Sequence, residues 1–244
     1  YSGGNVAVIP IGNDGKLNEV ADLVQHVGSK LENGEQQVPH AHFIDFDPNE
    51  KFICAVDLGI DKVISYKLEQ KDRRLIANQE FEEKTGAGPR HLAFHPNKKL
   101  AFVINELNST VTSCSYDPKS GDLLQIMTLS TLPDDFSGKS YCADIHVSPD
   151  GRFLYGSNRG HNSIVVYEID DKTGEITFVD HHDVKGAWPR NFMIDPSVKF
   201  LLVANQHSNN VVVFKIDKES GRLRSNGVEI QVNKPVCLKM IPIQ

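Results

Sequence analysis

The architecture of this chain can be inferred from residues 188–214, which read WPRNFMIDPSVKFLLVANQHSNNVVVF. The segment contains a short apolar strand, a turn at Asp195-Pro196, a second apolar strand, a polar turn and a third strand. The same order recurs in three earlier copies, and the turn prolines of the four copies are 48, 53 and 47 residues apart. The polar residues that close the second strands repeat with the same three spacings; they are Asp57, Asn105, Asn158 and Asn205. Two independent sets of positions therefore indicate one repeat of about fifty residues.

Each repeat contains four strand signals, which in the third copy fall at residues 143–147, 153–156, 163–168 and 175–179. A glycine-containing turn at residues 170–174 separates the last two of them, because glycine supplies the positive φ that such turns need. A four-stranded unit repeated at this period is typical of a β-propeller. We therefore predict an all-β fold, a single propeller domain of four-stranded antiparallel blades, with about five blades present.

The predicted blade boundaries follow from the same alignment. They are 1–38 for a partial blade, 39–88, 89–141, 142–188 and 189–234 for four full blades, and 235–244 for a strand of the closing blade. The front contributes a third strand that begins near Val6 and a fourth strand within residues 17–27, and the back contributes a first strand. The blade shared by the two ends would lack its second strand, so we expect the chain to lack N-terminal blades.

Composition and charge exclude several classes of protein. Hydrophobic residues make up 39% of the chain and charged residues 24%, which is typical of a globular protein. The formal net charge of -6 argues against nucleic acid as a partner, and no apolar run is long enough to predict a membrane span. Four widely spaced cysteines and no visible leader sequence predict reduced thiols and a cytoplasmic location.

Two kinds of position are expected at one mouth of the propeller channel, namely the start of the first strand and the residue after the second strand of each blade. The first-strand positions are His42, Arg90, Ala143 and Arg190, each followed by Phe43, His91, Asp144 or Asn191. The positions after the second strand are Leu58, Glu106, Arg159 and Gln206, with Tyr1 in the same place in the partial blade. Repeats tend to be alike where they only pack, so polar residues that differ between copies predict a site at this rim.

The residue types suggest the chemistry of that site. Arg90, Arg159 and Arg190 can converge on an anion, since a guanidinium matches carboxylate or phosphate geometry. Glu106 and His42 can act as general acid or base. The alternative is that each arginine pairs with a local carboxylate, such as Asp144 or Glu106, and only holds neighbouring blades together. His40 lies on the same strand face as His42, but no third ligand follows, so we predict no metal and no cofactor. Asp144 and His146 either line the channel or form a buried hydrogen bond.

Three segments carry a resemblance to a known family. Residues 88–96 (GPRHLAFHP), 105–107 (NEL) and 157–164 (SNRGHNSI) resemble the lactonase family of seven-bladed propellers, and the similarity extends over essentially all 244 residues. That family includes 6-phosphogluconolactonases of the cycloisomerase type and fungal 3-carboxy-cis,cis-muconate lactonizing enzymes. The resemblance implies a metal-independent site at the channel mouth, whose catalytic residues by motif are His42, Arg90, Glu106 and Arg159. The further predicted substrate-binding residues are Arg190, His91, Asp144, His146, Gln206 and His40.

The resemblance implies an enzyme, a lactonase that hydrolyses 6-phospho-D-glucono-1,5-lactone in the pentose phosphate pathway. The expected partner is a small anionic sugar lactone or carboxylate. One alternative is a cycloisomerase that forms or opens a muconolactone with the same residues. Another is a non-catalytic propeller used as an interaction platform. The last alternative predicts that the rim arginines are paired internally and that sugar phosphates do not bind.

Overall fold

The fold is described by a computed structural model that covers residues 1–28, 30–32 and 35–241. Within this part of the chain there are strands and turns but no helix, as the all-β prediction requires. At the front, β1 (Asn5–Val8) pairs with β2 (Asp22–Gln25), and a hairpin that the sequence did not predict joins β3 (Lys30–Glu32) to β4 (Glu35–Gln37).

Four antiparallel sheets of four strands follow, and each is ordered as its strands occur in the chain. The first contains β5 (Ala41–Phe46), β6 (Ile53–Asp57), β7 (Lys62–Glu69) and β8 (Arg74–Glu82). The second contains β9 (Pro89–Phe94), β10 (Leu100–Asn105), β11 (Thr110–Asp117) and β12 (Asp122–Ser130). The third contains β13 (Tyr141–Val147), β14 (Phe153–Arg159), β15 (Ser163–Ile169) and β16 (Ile176–Asp183). The fourth contains β17 (Pro189–Ile194), β18 (Phe200–Asn205), β19 (Asn210–Ile216) and β20 (Leu223–Gln231).

The apolar core is divided among the spaces between successive sheets. One cluster joins the β13–β16 sheet to the β17–β20 sheet through Tyr155, Phe192 and Leu201, all of them fully buried. A second joins β9–β12 to β13–β16, a third joins β5–β8 to β9–β12, and a fourth covers β5–β8 with β1 and β2. Sheets stacked face to face around an axis in this way form a propeller, so the predicted fold class is confirmed.

The two ends of the chain differ in how far they match the predicted strands. The predicted fourth strand within 17–27 is β2, which is shorter than expected. The predicted first strand at 235–242 is not a strand in the described residues up to Ile241, because no strand pairs with it there. The segment nevertheless occupies the position of a first strand, because its contact with the preceding sheet repeats a contact of β17. Leu238 donates its backbone N–H to Asn191 Oδ1 at 2.7 Å, as Phe192 of β17 donates its backbone N–H to Asp144 Oδ2 at 3.2 Å.

The thiols of Cys54, Cys114 and Cys142 are free and buried, and that of Cys237 is free and exposed. The described residues contain no helix that is long and apolar enough to cross a membrane.

Candidate active site

The predicted first-strand positions all lie at β-bulges. In β5, β9 and β17 the pairing with the second strand skips one residue, and the skipped residues are His42, Arg90 and Arg190. In β13 the skipped pair is Ala143 and Asp144. A bulge bends the strand and redirects its side chains, and bulges are frequent beside active sites. Because of the bulge, two consecutive residues of one strand, such as Arg90 and His91, can both direct their side chains into one network of contacts.

The structure brings Arg90, Glu106 and Arg159 into direct contact. Glu106 Oε2 lies 2.8 Å from Arg90 Nε and 2.8 Å from Arg159 Nη2, so one carboxylate oxygen joins guanidinium groups from two sheets. Both arginines are buried, with 2% and 5% of their surface exposed, whereas the Glu106 side chain retains 19% exposure. Burial, followed by the charge of Arg159, lowers the pKa of Arg90 to about 10, which leaves it cationic at neutral pH.

Backbone carbonyl groups of β13 fix both guanidinium groups. Arg90 Nη1 donates to Ala143 O, which belongs to the next sheet. Arg159 donates from Nε to Tyr141 O at 3.2 Å and from Nη2 to Cys142 O at 2.8 Å. Two of the three rim arginines are therefore paired and hold neighbouring blades together, as the alternative interpretation expected for all three.

Arg190 has a different environment. It is half-buried, and no carboxylate of the described residues forms an ion pair with it. Its charge lowers the pKa values of both His42 and Arg90, so its guanidinium lies within electrostatic range of the Arg90–Glu106–Arg159 group. An unpaired guanidinium beside two more cations makes this rim strongly attractive to an anion.

His42 lies at this site as a neutral imidazole. Burial, together with the positive charge of Arg90, lowers its pKa to about 2, and its Nδ1 atom is buried without a hydrogen-bond partner among the described residues. Its ring is 5.1 Å from that of His91 and 5.6 Å from that of Tyr1. His40 stacks on Tyr1 at 4.6 Å, and in the part of the chain that the structure describes no group of three His, Cys, Asp or Glu side chains is arranged to hold a metal ion.

Asp144 is the centre of a second network. It is 3% exposed and accepts hydrogen bonds from His91 Nδ1 at 2.8 Å, Asn191 Nδ2 at 2.5 Å and the Phe192 backbone N–H. Its Oδ2 also lies 3.2 Å from His146 Nε2. Burial alone would raise the pKa of Asp144, but His146 and His91 outweigh it and hold that pKa well below its usual range. Asp144 and His146 thus form the predicted hydrogen bond and also line a channel cavity of about 350 Å³, which Lys239 lines as well.

The rim positions after the second strand are equivalent in space. The backbone N–H groups of Leu58, Glu106 and Gln206 donate to the carbonyl groups of residues 40, 88 and 188 in turn. Gln206 is half-buried, and its Oε1 has no hydrogen-bond partner among the described residues.

Trp188 stacks on His207 at 4.7 Å and lies 5.5 Å from the Arg159 guanidinium, so it both packs and shapes the mouth. Lys239 was not among the predicted site residues, although its place in the predicted closing strand is the signal that could have found it.

Comparison with known proteins agrees with this geometry. Residues 1–240 match the family described as "Lactonase, 7-bladed beta-propeller". A 6-phosphogluconolactonase of Bacillus subtilis (strain 168) is 42% identical over 241 residues, which are 99% of this chain and 68% of that protein. One from Pectobacterium carotovorum is 35% identical, over 80% of this chain and 55% of its own length. Among solved structures, the periplasmic gluconolactonase of Pseudomonas aeruginosa superposes with a TM-score of 0.91 at 34% identity, covering 98% of this chain and 67% of its own. The chain therefore belongs to the lactonase family of seven-bladed β-propellers.

Proposed function

We propose that this chain carries the active site of a cytoplasmic lactone hydrolase of the pentose phosphate pathway, which opens 6-phospho-D-glucono-1,5-lactone to 6-phosphogluconate. The observation that carries the proposal is the contrast between a carboxylate held by two buried arginines and a nearby Arg190 that forms no ion pair within the described part of the chain. The chain spans about half to two thirds of the length of the curated relatives it matches, and those of Bacillus subtilis and Pectobacterium carotovorum are named 6-phosphogluconolactonase.

Substrate binding is assigned to Arg190. The phosphate of the lactone is a dianion with three acceptor oxygens, and an unpaired guanidinium offers it charge-assisted hydrogen bonds without first breaking an internal ion pair. Gln206 and His42 each have a buried polar atom without a partner in the described residues. Such atoms are costly to bury alone, and hydroxyl groups of a sugar ring can satisfy them.

Water activation is assigned to Glu106. Its Oε2 is occupied by Arg90 and Arg159, and the partial exposure of the side chain leaves Oε1 to hold a water molecule. His42, with its pKa near 2, is too weak a base for this step, so its proposed part is to hold the substrate. The water oxygen attacks the lactone carbonyl carbon while Glu106 accepts the proton. The C–O bond of the ring then breaks, and the ring oxygen takes up the proton as a hydroxyl group.

The arginines stabilise the charge that develops on the carbonyl oxygen during attack. Arg90 and Arg159 are held by backbone carbonyl groups, so their charges need little reorganisation in the transition state. The product is a carboxylic acid, which ionises at neutral pH and releases one proton per turnover.

Substitution of Glu106 and Arg159 tests this proposal. Glu106→Gln removes the base and should lower kcat by about 10²–10⁴-fold. Arg159→Ala should lower it by roughly 10²–10³-fold, because it removes a preorganised cation. Activity is measured as proton release with a pH indicator, above the spontaneous hydrolysis of the lactone.

The control is Glu82→Gln, which changes an exposed carboxylate on β8 and should leave the rate unchanged. Full rates in Glu106→Gln and Arg159→Ala would rule the proposal out. An enzyme that is inert towards the phosphogluconolactone but converts a muconolactone would instead be a cycloisomerase.

A further inference from the structure

His91 lies between a carboxylate and a guanidinium. Its Nδ1 atom is 2.8 Å from Asp144 Oδ1, and its Nε2 atom is 3.1 Å from Arg90 Nη1. Arg90 and His91 are consecutive residues of β9 at the bulge, and Asp144 belongs to β13 of the next sheet. The imidazole therefore connects a carboxylate that is itself fixed by Asn191 and Phe192 to one of the two arginines that hold Glu106.

These two partners determine the tautomer of His91. An ionised carboxylate only accepts hydrogen bonds, so Nδ1 carries the proton and donates to Asp144. A guanidinium only donates, so Nε2 is unprotonated and accepts from Arg90. The neutral imidazole with its proton on Nδ1 is the one form of the ring that satisfies both contacts.

We propose that His91 is a positioning residue, which Asp144 holds in the Nδ1–H tautomer so that Nε2 orients the guanidinium of Arg90 against Glu106. This inference rests on the proposed function, since the orientation of Arg90 matters only if Arg90 and Glu106 act on a substrate. With Ala143 O and His91 Nε2 both accepting from Nη1, the plane of the Arg90 guanidinium is fixed from two sides. The Arg90 side chain held in this way keeps its Nε atom 2.8 Å from Glu106 Oε2, as an ion pair rather than a hydrogen bond.

Protonation of His91 abolishes this arrangement. A proton on Nε2 turns the acceptor into a donor that faces the donor groups of Arg90. The groups that set this equilibrium are Arg90 on the same strand, His42 and Asp45 on β5, Asp144 and His146 on β13, and Lys239 beyond β20. Burial lowers the pKa of His91 more than Asp144 raises it, so the ring is neutral at physiological pH. Activity should therefore fall on the acid side as His91 takes up a proton.

Two substitutions separate positioning from packing. In His91→Gln, the amide group can donate to Asp144 and accept from Arg90 but cannot titrate. In His91→Phe, the ring shape remains and both hydrogen bonds are lost. We expect His91→Gln to keep a kcat close to that of the unsubstituted protein at pH 7.5 and to lose the acid limb of its kcat/KM profile. We expect His91→Phe to lose about 10²-fold in kcat, the usual cost of a misplaced catalytic group.

The matched control is His161→Gln, which replaces a histidine whose pKa burial also lowers but which lies outside the site. It should keep the acid limb, which lies below the ordinary histidine pKa of about 6.5. An acid limb that persists in His91→Gln, or full activity in His91→Phe, would overturn the assignment.

A measurement that does not depend on catalysis distinguishes the positioning role of His91 from the proposed reaction. Nitrogen-15 NMR of histidine-labelled protein, with His91 identified by the signal missing from His91→Gln, should show a protonated Nδ1 and an unprotonated Nε2 at pH 7. An Nε2–H tautomer would contradict the positioning role even in an active enzyme. If the protein shows the Nδ1–H tautomer but opens no lactone, the positioning geometry stands and the proposed reaction is wrong.

Discussion

The three rim arginines show how environment divides one residue type into two roles. Arg90 and Arg159 are buried, and a buried charge persists in a fold only with a partner, which Glu106 supplies for both. Arg190 occupies the same repeat position as Arg90 but remains half-buried and unpaired in the described part of the chain. Internal contacts already occupy donor groups of the paired arginines, so affinity for the phosphate of the bound lactone should depend mainly on Arg190.

Arg190→Ala should therefore raise KM more than it lowers kcat. A hydrogen bond to a charged group contributes about 1.5–3 kcal/mol, which corresponds to an increase in KM of roughly 10- to 150-fold. Arg190→Lys keeps the charge but not the planar fork, so an intermediate KM is expected. Steady-state kinetics and the inhibition constant of 6-phosphogluconate provide the two measurements.

Arg224→Ala is the control for this substitution, since Arg224 is an exposed arginine on β20. It should leave KM unchanged. A KM for Arg190→Ala equal to that of the control would show that the anion is bound elsewhere.

At the scale of the element, the sequence predicted the strands and turns well because they depend on local patterns. The polar residues that close the second strands are at the strand ends, and glycine-containing turns separate the third and fourth strands in three of the four four-stranded sheets. The bulges at His42, Arg90 and Arg190 were not predicted, because a bulge is a property of two paired strands rather than of one. The sharing of Glu106 by two arginines was equally out of reach, since it depends on side chains from two sheets meeting.

The repeat also contains an inter-blade position that the sequence analysis missed. At the end of each fourth strand, one residue faces the polar residue that closes the second strand of the next sheet. The pairs are His26–Asp57, Glu83–Asn105, Thr131–Asn158 and Val184–Asn205. In the first pair, His26 Nδ1 is 2.6 Å from Asp57 Oδ2, both groups are buried, and Tyr66 Oη contacts His26 Nε2 at 2.9 Å. In the last pair, Asn205 instead donates from its side-chain amide to the backbone carbonyl group of Val184 at 3.2 Å.

Replacing His26 by valine and Asp57 by asparagine, the residue types of the last pair, should show that the two substitutions are coupled in their effect on the unfolding free energy. His26→Val alone leaves Asp57 as a buried carboxylate that has lost a partner, which typically costs about 3–5 kcal/mol of unfolding free energy. The same substitution in an Asp57→Asn background should cost less, with a coupling of about 1–3 kcal/mol. Urea denaturation of the two single variants and the double variant measures it.

The reference is a second pair of substitutions, which combines His26→Val with Asp117→Asn. The Asp117 side chain is exposed at the end of β11. Those two changes should be additive within about 0.5 kcal/mol. Equal additivity for His26→Val with Asp57→Asn would mean that the buried pair contributes no specific interaction.

At the scale of the molecule, the propeller is held by one apolar cluster between each pair of sheets and by polar contacts around the channel. Asp144 connects three successive sheets, through His91 in β9, its own strand β13 and Asn191 in β17. Asn191 continues the series to Leu238 in the closing segment. Because these contacts span several sheets, the charge state of Asp144 should influence the stability of the whole fold.

Asp144→Asn should therefore destabilise the protein in a pH-dependent way. Because the folded pKa of Asp144 is far below its unfolded value of about 3.9, its ionised form stabilises the fold at neutral pH. That contribution is complete above the unfolded pKa and is lost as the pH falls through the folded pKa. The difference in unfolding free energy between the unsubstituted protein and Asp144→Asn should be largest near pH 7 and should shrink below about pH 4.

Asp135→Asn removes an exposed carboxylate of the same type and serves as the reference for net charge. Its effect on the unfolding free energy should be small at every pH, because water surrounds this carboxylate in both the folded and the unfolded chain. A gap between the unsubstituted protein and Asp144→Asn that stays constant from pH 7 to pH 3 would mean that the loss comes from the geometry of the amide alone. A shrinking gap would instead show that the hydrogen bonds from His91, Asn191 and Phe192 stabilise the propeller through the charge they surround.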